Sequence, residues 1–124
     1  MSENRKFDIY DRAFHLAVRT AKFVDRLTQN MLVAEYGRQL IKASGGIGSN
    51  IAEADGTLSK KDFISKMGIA RRESRESRHW LRLIGATVDI KEQKDKEELR
   101  WLINESTEIM LILSSIINKS QGKG

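Results

Sequence analysis

The chain has 124 residues, with no cysteine, no proline, nine glycines, and 22 Lys and Arg against 17 Asp and Glu, a formal net charge of +5. That length suits a single domain with a core of its own. The missing cysteines exclude a disulfide framework, thiolate zinc sites and a thiol nucleophile. With no proline, long helices joined by short turns are favoured. The positive balance makes polyanions candidate partners, because Lys and Arg displace counterions condensed on phosphate. Met1 is followed by charged residues where a signal peptide needs an apolar run, and no stretch of about 18 apolar residues is available to span a bilayer. The most apolar segment, from Leu102 to Ile117, is broken by Asn104, Glu105 and Glu108. A cytoplasmic protein without a membrane role is expected.

Four helices follow in order. The first is predicted over about 8–27, with Tyr10, Phe14, Ala17, Ala21 and Val24 as its core seam. A second apolar column, Ile9, Leu16, Phe23 and Leu27, then needs something else to pack against, and is read as an oligomer interface. Beside it runs a basic row at heptad spacing, Arg5, Arg12, Arg19 and Arg26. Asn30 is placed to cap a second helix over about 31–55, with core positions Val33, Tyr36, Leu40, Ser44, Ile47, Ile51 and Ala54, and Gly56 as its stop.

Gly45, Gly46 and Gly48 lie inside this helix, where each costs about 1 kcal/mol relative to alanine. Their spacing matches no phosphate-binding loop, so close approach of another helix is the reading taken, with a kink as the alternative.

The third helix, predicted over about 60–88, opens on Ser59 with Asp62 three residues later, the pattern of a capping box. It carries the clearest signal in the chain, Phe63, Met67, Ala70, Ser74, Ser77, Leu81, Ile84 and Val88, an unbroken 4-3-4-3 seam of the kind that packs in bundles. One shoulder of that seam holds Arg71, Arg75, Arg78 and Arg82 with no acid among them; the other holds Glu73, Glu76 and Trp80. Asp95 and Glu98 suggest a second capping box opening a fourth helix over about 96–118, which buries Leu99, Leu102, Ser106, Ile109, Leu113 and Ile116. The polar tail from Lys119 is expected to fray. Together these elements predict an all-α, up-down-up-down four-helix bundle.

Candidate sites follow from the same pattern. Glu76 and His79 form the Glu-x-x-His unit of di-iron bundles, but the second unit is missing, since His15 follows Arg12 where a glutamate is needed; no metal site or cofactor is expected. Nothing groups a nucleophile, base and oxyanion donor, so no enzyme is expected. Gly46, Asn50 and Glu53 form a polar column that is read as a structural clamp meeting Glu73 or Glu76, or Arg and Lys, on a neighbouring helix, with ligand binding as the alternative. Trp80 and Trp101 sit off the seams and are read as interface anchors. The arginines at 71, 75, 78 and 82, with those at 12, 19 and 26, are the candidate nucleic-acid contacts.

The segment Ile47-Gly48-Ser49-Asn50-Ile51-Ala52-Glu53-Ala54 closely resembles the S-I-x-x-N-I-A-E-G/A motif of a bacterial four-helix-bundle family. The later Lys61-Asp62-Phe63 and the run from Ile69 through Arg71-Arg72-Glu73-Ser74-Arg75-Glu76-Ser77-Arg78-His79-Trp80 to Leu83 resemble its second signature. The family is that of the 23S rRNA-intervening sequence proteins, which includes the accessory variability determinant of diversity-generating retroelements, and the similarity runs from Phe7 to about Ile117. The resemblance implies an antiparallel four-helix bundle that assembles into a ring, typically a homopentamer, with basic surfaces and no enzymatic activity. It further implies that the retroelement members bind nucleic acid and a reverse transcriptase, and it marks Asn50, Glu53, Glu73, Glu76 and Trp80 as motif positions. The expected function is therefore binding of structured RNA or DNA by an oligomeric bundle; the rival expectation is a protein-binding scaffold or assembly factor whose charge has no nucleic-acid role.

Overall fold

A computed structural model describes residues 2–122 of the chain, with side chains from residue 9 onward. It contains α1 (Ser2–Arg26), α2 (Met31–Asp55), α3 (Lys60–Thr87) and α4 (Gln93–Ser120). Each helix packs on its neighbours in sequence and α1 closes the ring against α4, an all-α antiparallel four-helix bundle. No helix among the described residues is long and apolar enough to cross a membrane.

The ends of α2 and α3 form for the reasons their sequences suggest. Asn30 accepts a hydrogen bond from the Val33 amide and Ser59 accepts one from the Asp62 amide, each satisfying an N–H that has no partner within its helix. The start of α4 differs. It opens after Glu92, with no side-chain cap, and Asp95, read from sequence as the cap, is buried inside the first turn with its carboxylate bound to Arg26. Its other end also differs, since Lys119 and Ser120 continue α4 where fraying was expected; residues 123–124 of that tail lie outside the described residues.

The core seam of α3 is as expected over its middle, with Met67, Ala70, Ser74, Ser77, Leu81 and Ile84 all buried, while its ends, Phe63 and Val88, are half-buried. Four serines reach the interior, and each satisfies its hydroxyl by donating to a carbonyl of its own helix: Ser44 to Ile41, Ser74 to Arg71, Ser77 to Glu73, Ser106 to Leu102.

The first helix is rotated from its predicted setting. Ile9, Leu16, Phe23 and Leu27, expected at an oligomer interface, are buried within the bundle, while Tyr10 and Phe14 of the expected seam stand 37% and 54% exposed. The buried set has its own 4-3-4-3-4 register once Ala13 and Thr20, both fully buried, are added to it. Ile9, Leu16, Phe23 and Leu27 offer more apolar surface than a seam half made of alanine, so burying them is the stronger choice. The bundle covers the column by itself.

Close helix approach does occur at glycine, chiefly at positions other than those expected. A β-carbon at Gly37 would stand 2.7 Å from Val24 Cγ1, and one at Gly85 would stand 2.9 Å from Leu99 Cδ2. Of the three glycines expected to mark that approach, Gly45 faces open space, Gly48 leaves 3.8 Å to Ala13 and Tyr10, and only Gly46 is tight, 2.6 Å from the Glu73 carboxylate.

Candidate functional site

Rotation of α1 carries its arginine row onto α4, where acids are waiting. Arg12 makes a two-pronged pair with Glu105, Nε to Oε2 at 2.9 Å and Nη2 to Oε1 at 2.7 Å. One heptad further, Arg19 repeats the arrangement with Glu98 at 2.9 and 2.6 Å, and its guanidinium carbon lies 3.4 Å from the centre of the Trp101 ring. Arg26 completes the series with a 3.1 Å bond to Asp95. The acids are the buried partners, 8 to 17% exposed against 35 to 42% for the arginines. Hydrogen bonding to Arg19 holds the Glu98 carboxyl below the ordinary carboxylate range, aided by the charges of Arg19 and Arg26 and opposed by burial; the same hydrogen bond raises Arg19. Arg12, Arg19 and Arg26 were read as nucleic-acid contacts, but here they are engaged within the fold, because a buried carboxylate is stable only with such a partner. Arg5 of that row lies outside the described side chains.

The row on α3 has the opposite surroundings. Arg71 and Arg78 are half-buried, Arg75 and Arg82 exposed, and among the described residues none of the four forms an ion pair. Nε of Arg78 is buried with no hydrogen-bond partner. The contact of Gly85 with Leu99 fixes which side of α4 faces this shoulder; Lys96, Arg100 and Ile103 lie beside that contact, and helical spacing continues the side through Ser106 and Met110, with no acid among them. The row extends about 16 Å along the helix axis, at 1.5 Å per residue.

The motif residues gather on the remaining shoulder of α3, along its groove with α2. The Glu73 side chain fills the space left by Gly46. Its carboxyl is raised, first by burial and next by the charge of Glu76, with Arg72 and Lys42 opposing. Asn50 turns back on its own helix, donating to the Gly46 carbonyl at 2.8 Å, and Glu53 pairs with Lys66 of α3 at 3.7 Å. The α2–α3 contact is thus carried by Glu73 over Gly46 and by Glu53 with Lys66, not by an amide bridge from Asn50. Trp80 packs against Tyr36 of α2, ring centroids 5.8 Å apart, with His79 at its edge. Trp80 and Trp101, read as interface anchors, are both half-buried in contacts of the bundle itself. Among the described residues no group of three His, Asp or Glu side chains is placed to hold a metal ion.

The sequence reading missed the acids of α4. Glu98 and Glu105 are seven residues apart, as are Arg12 and Arg19, and in antiparallel helices the two spacings match rung for rung.

A four-helix bundle with one neutralised and one open arginine row is the class that fold and surface define. The family model of the 23S rRNA-intervening sequence proteins matches residues 5–115, and the chain belongs to that family. It is similar to a crystal structure from Bacteroides thetaiotaomicron, described as a protein of unknown function from the S23 ribosomal protein family. The two are 32% identical, with a TM-score of 0.76 over 91% of this chain and 97% of that one. No curated protein matches this sequence.

Proposed function

We propose that this chain is a non-catalytic bundle that binds structured RNA or DNA through Arg71, Arg75, Arg78 and Arg82. The observation that carries the reading is that, among the described residues, none of these four has an acidic partner, on a bundle whose Arg12, Arg19 and Arg26 are each paired. Guanidinium groups are well suited to phosphate, and a straight row whose α4 flank carries no acid favours a polyanion over a single small anion. The family's name, with its reference to 23S rRNA, is consistent with such a ligand.

The test is a titration of labelled structured RNA and of duplex DNA across salt concentrations. Affinity should fall steeply, with a log-log slope of roughly 0.7 to 0.9 per phosphate neutralised. Arg75→Gln with Arg78→Gln should lower both affinity and slope, whereas Arg12→Gln should leave the slope unchanged. No binding of either nucleic acid by the wild-type protein at low salt refutes the reading and favours the protein-scaffold alternative.

A second part of the proposal is self-assembly, with a pentameric ring as its stoichiometry. It is favoured by the stacked, exposed pair Tyr10 and Phe14 of α1, ring centroids 6.3 Å apart, and by Ile41 of α2, itself 44% exposed. Ile41 lies two turns before Gly48 on the side of α2 that Tyr10 meets. Phe14→Glu should disperse the assembly and leave a folded monomer; a monomer mass for the wild-type protein in light scattering refutes it.

A further inference from the structure

At its C-terminal end the open arginine row runs into a hollow of about 430 Å³ between the last turn of α3 and the first turns of α4. Arg82 lies one turn before Gly85, which lines the hollow. The volume falls in the range of roughly 300–1,000 Å³ typical of small-molecule pockets and exceeds that of one nucleobase. Its walls are aliphatic, with Val88, Leu99 and Ile103 half-buried, and the glycine at 85 lets Leu99 approach where a β-carbon would stand 2.9 Å from its Cδ2. The rim is charged and exposed: Asp89 on one side, Lys96 and Arg100 on the other. Among the described residues none of these three side chains makes an ion pair or hydrogen bond within the fold.

Resting on the nucleic-acid reading above, we infer that this hollow receives one unpaired nucleobase carrying an exocyclic amino group, from a strand whose phosphates lie along the arginine row. Each part of the site matches one part of that ligand. Aliphatic walls sandwich the flat face of a base that has left its stack. Lys96 and Arg100 take the flanking phosphates, continuing the cationic track from Arg82. Asp89 is acceptor only, so it receives the amino group of adenine, cytosine or guanine; uracil offers it only an N3–H flanked by two carbonyl oxygens that its charge repels. Unpaired bases in RNA loops and bulges present those edges, whereas a continuous helix does not. The row supplies affinity independent of sequence, and the hollow adds recognition of a bulge or loop.

The experiment compares three RNA hairpins of the same stem: fully paired, with one bulged adenosine, and with one bulged uridine. For the wild-type chain the adenosine bulge should bind about tenfold tighter than the paired stem, and tighter than the uridine bulge. Asp89→Ala, at an exposed loop position, should remove the preference for adenosine over uridine. Val88→Trp, which fills the hollow, should bring all three RNAs to the paired-stem value. Equal binding of the three RNAs by the wild-type chain overturns the inference and leaves the arginine row standing. A preference for adenosine that survives Asp89→Ala also overturns it. Failure to bind any of the three at low salt overturns the arginine reading and the inference together.

Discussion

Two arginine rows flank α4, and they differ in what α4 presents to them. Toward α1 it offers Asp95, Glu98 and Glu105, and each takes an arginine. Toward α3 it offers Leu99, Ile103 and Met110, which take none. A row that meets buried acids becomes part of the fold and is lost to ligands; a row that meets aliphatic side chains keeps its charge for something outside. The same residue type at similar spacing therefore serves packing on one side of a helix and is free for binding on the other.

The most severe way to break the contrast is to undo the rotation of α1 that creates it. Phe23 is fully buried beneath the engaged row. Phe23→Glu removes a large side chain from the core and puts an unpaired carboxylate in its place, a loss of about 4 kcal/mol or more. It should unfold the bundle in thermal melts followed by circular dichroism, not merely separate its copies.

Matched substitutions on the two rows give the next largest difference. Arg12→Gln with Arg19→Gln strands two buried carboxylates. After allowance for screening at the half-exposed guanidinium groups, urea denaturation should show a loss of about 2–4 kcal/mol. Arg75→Gln with Arg82→Gln, both exposed, should shift stability by under about 0.5 kcal/mol, as for surface changes generally. An equal loss from both pairs would show that the α3 row is also structural.

Opposite pH dependences sharpen the contrast between the two flanks of the bundle. Glu98 is held below the ordinary carboxylate range by Arg19. Its stabilising contribution is therefore full at neutral pH and lost as pH falls through that lowered value. Glu73 is raised by burial and by Glu76, so its contribution is full below the ordinary range and lost as pH rises through the raised value. Glu73→Gln should stabilise the protein at pH 7, by up to about 1 kcal/mol at this partly exposed site, and make no difference near pH 4. Glu98→Gln should destabilise at pH 7 and converge with wild type in acid.

The smallest predicted effects separate the glycines. Gly45→Ala meets open space and should gain about 0.5–1 kcal/mol from helix propensity. Gly46→Ala should lose that gain or reverse it, since its β-carbon would collide with the Glu73 carboxylate. Denaturation midpoints of the two variants decide between them.

Much of this was legible before any coordinates. The seam from Met67 to Ile84 and the caps at Asn30 and Ser59 follow from periodicity and local hydrogen bonding, which act over a few residues along one helix. The acid-free shoulder at Arg71, Arg75, Arg78 and Arg82 was equally visible, because it concerns one helix alone. The setting of α1 was not. Registers starting at Ile9 and at Tyr10 are both apolar at helical spacing, offset by a single residue, and a sequence scores them almost alike. Only the assembled bundle chose, by burying Leu16 and Phe23 together with their neighbours and by bringing Arg12 and Arg19 level with Glu105 and Glu98. Local sequence determined which residues form each helix and its caps; tertiary packing decided which face of α1 is core and which arginines remain unpaired, because burial and ion pairing depend on what the neighbouring helix presents.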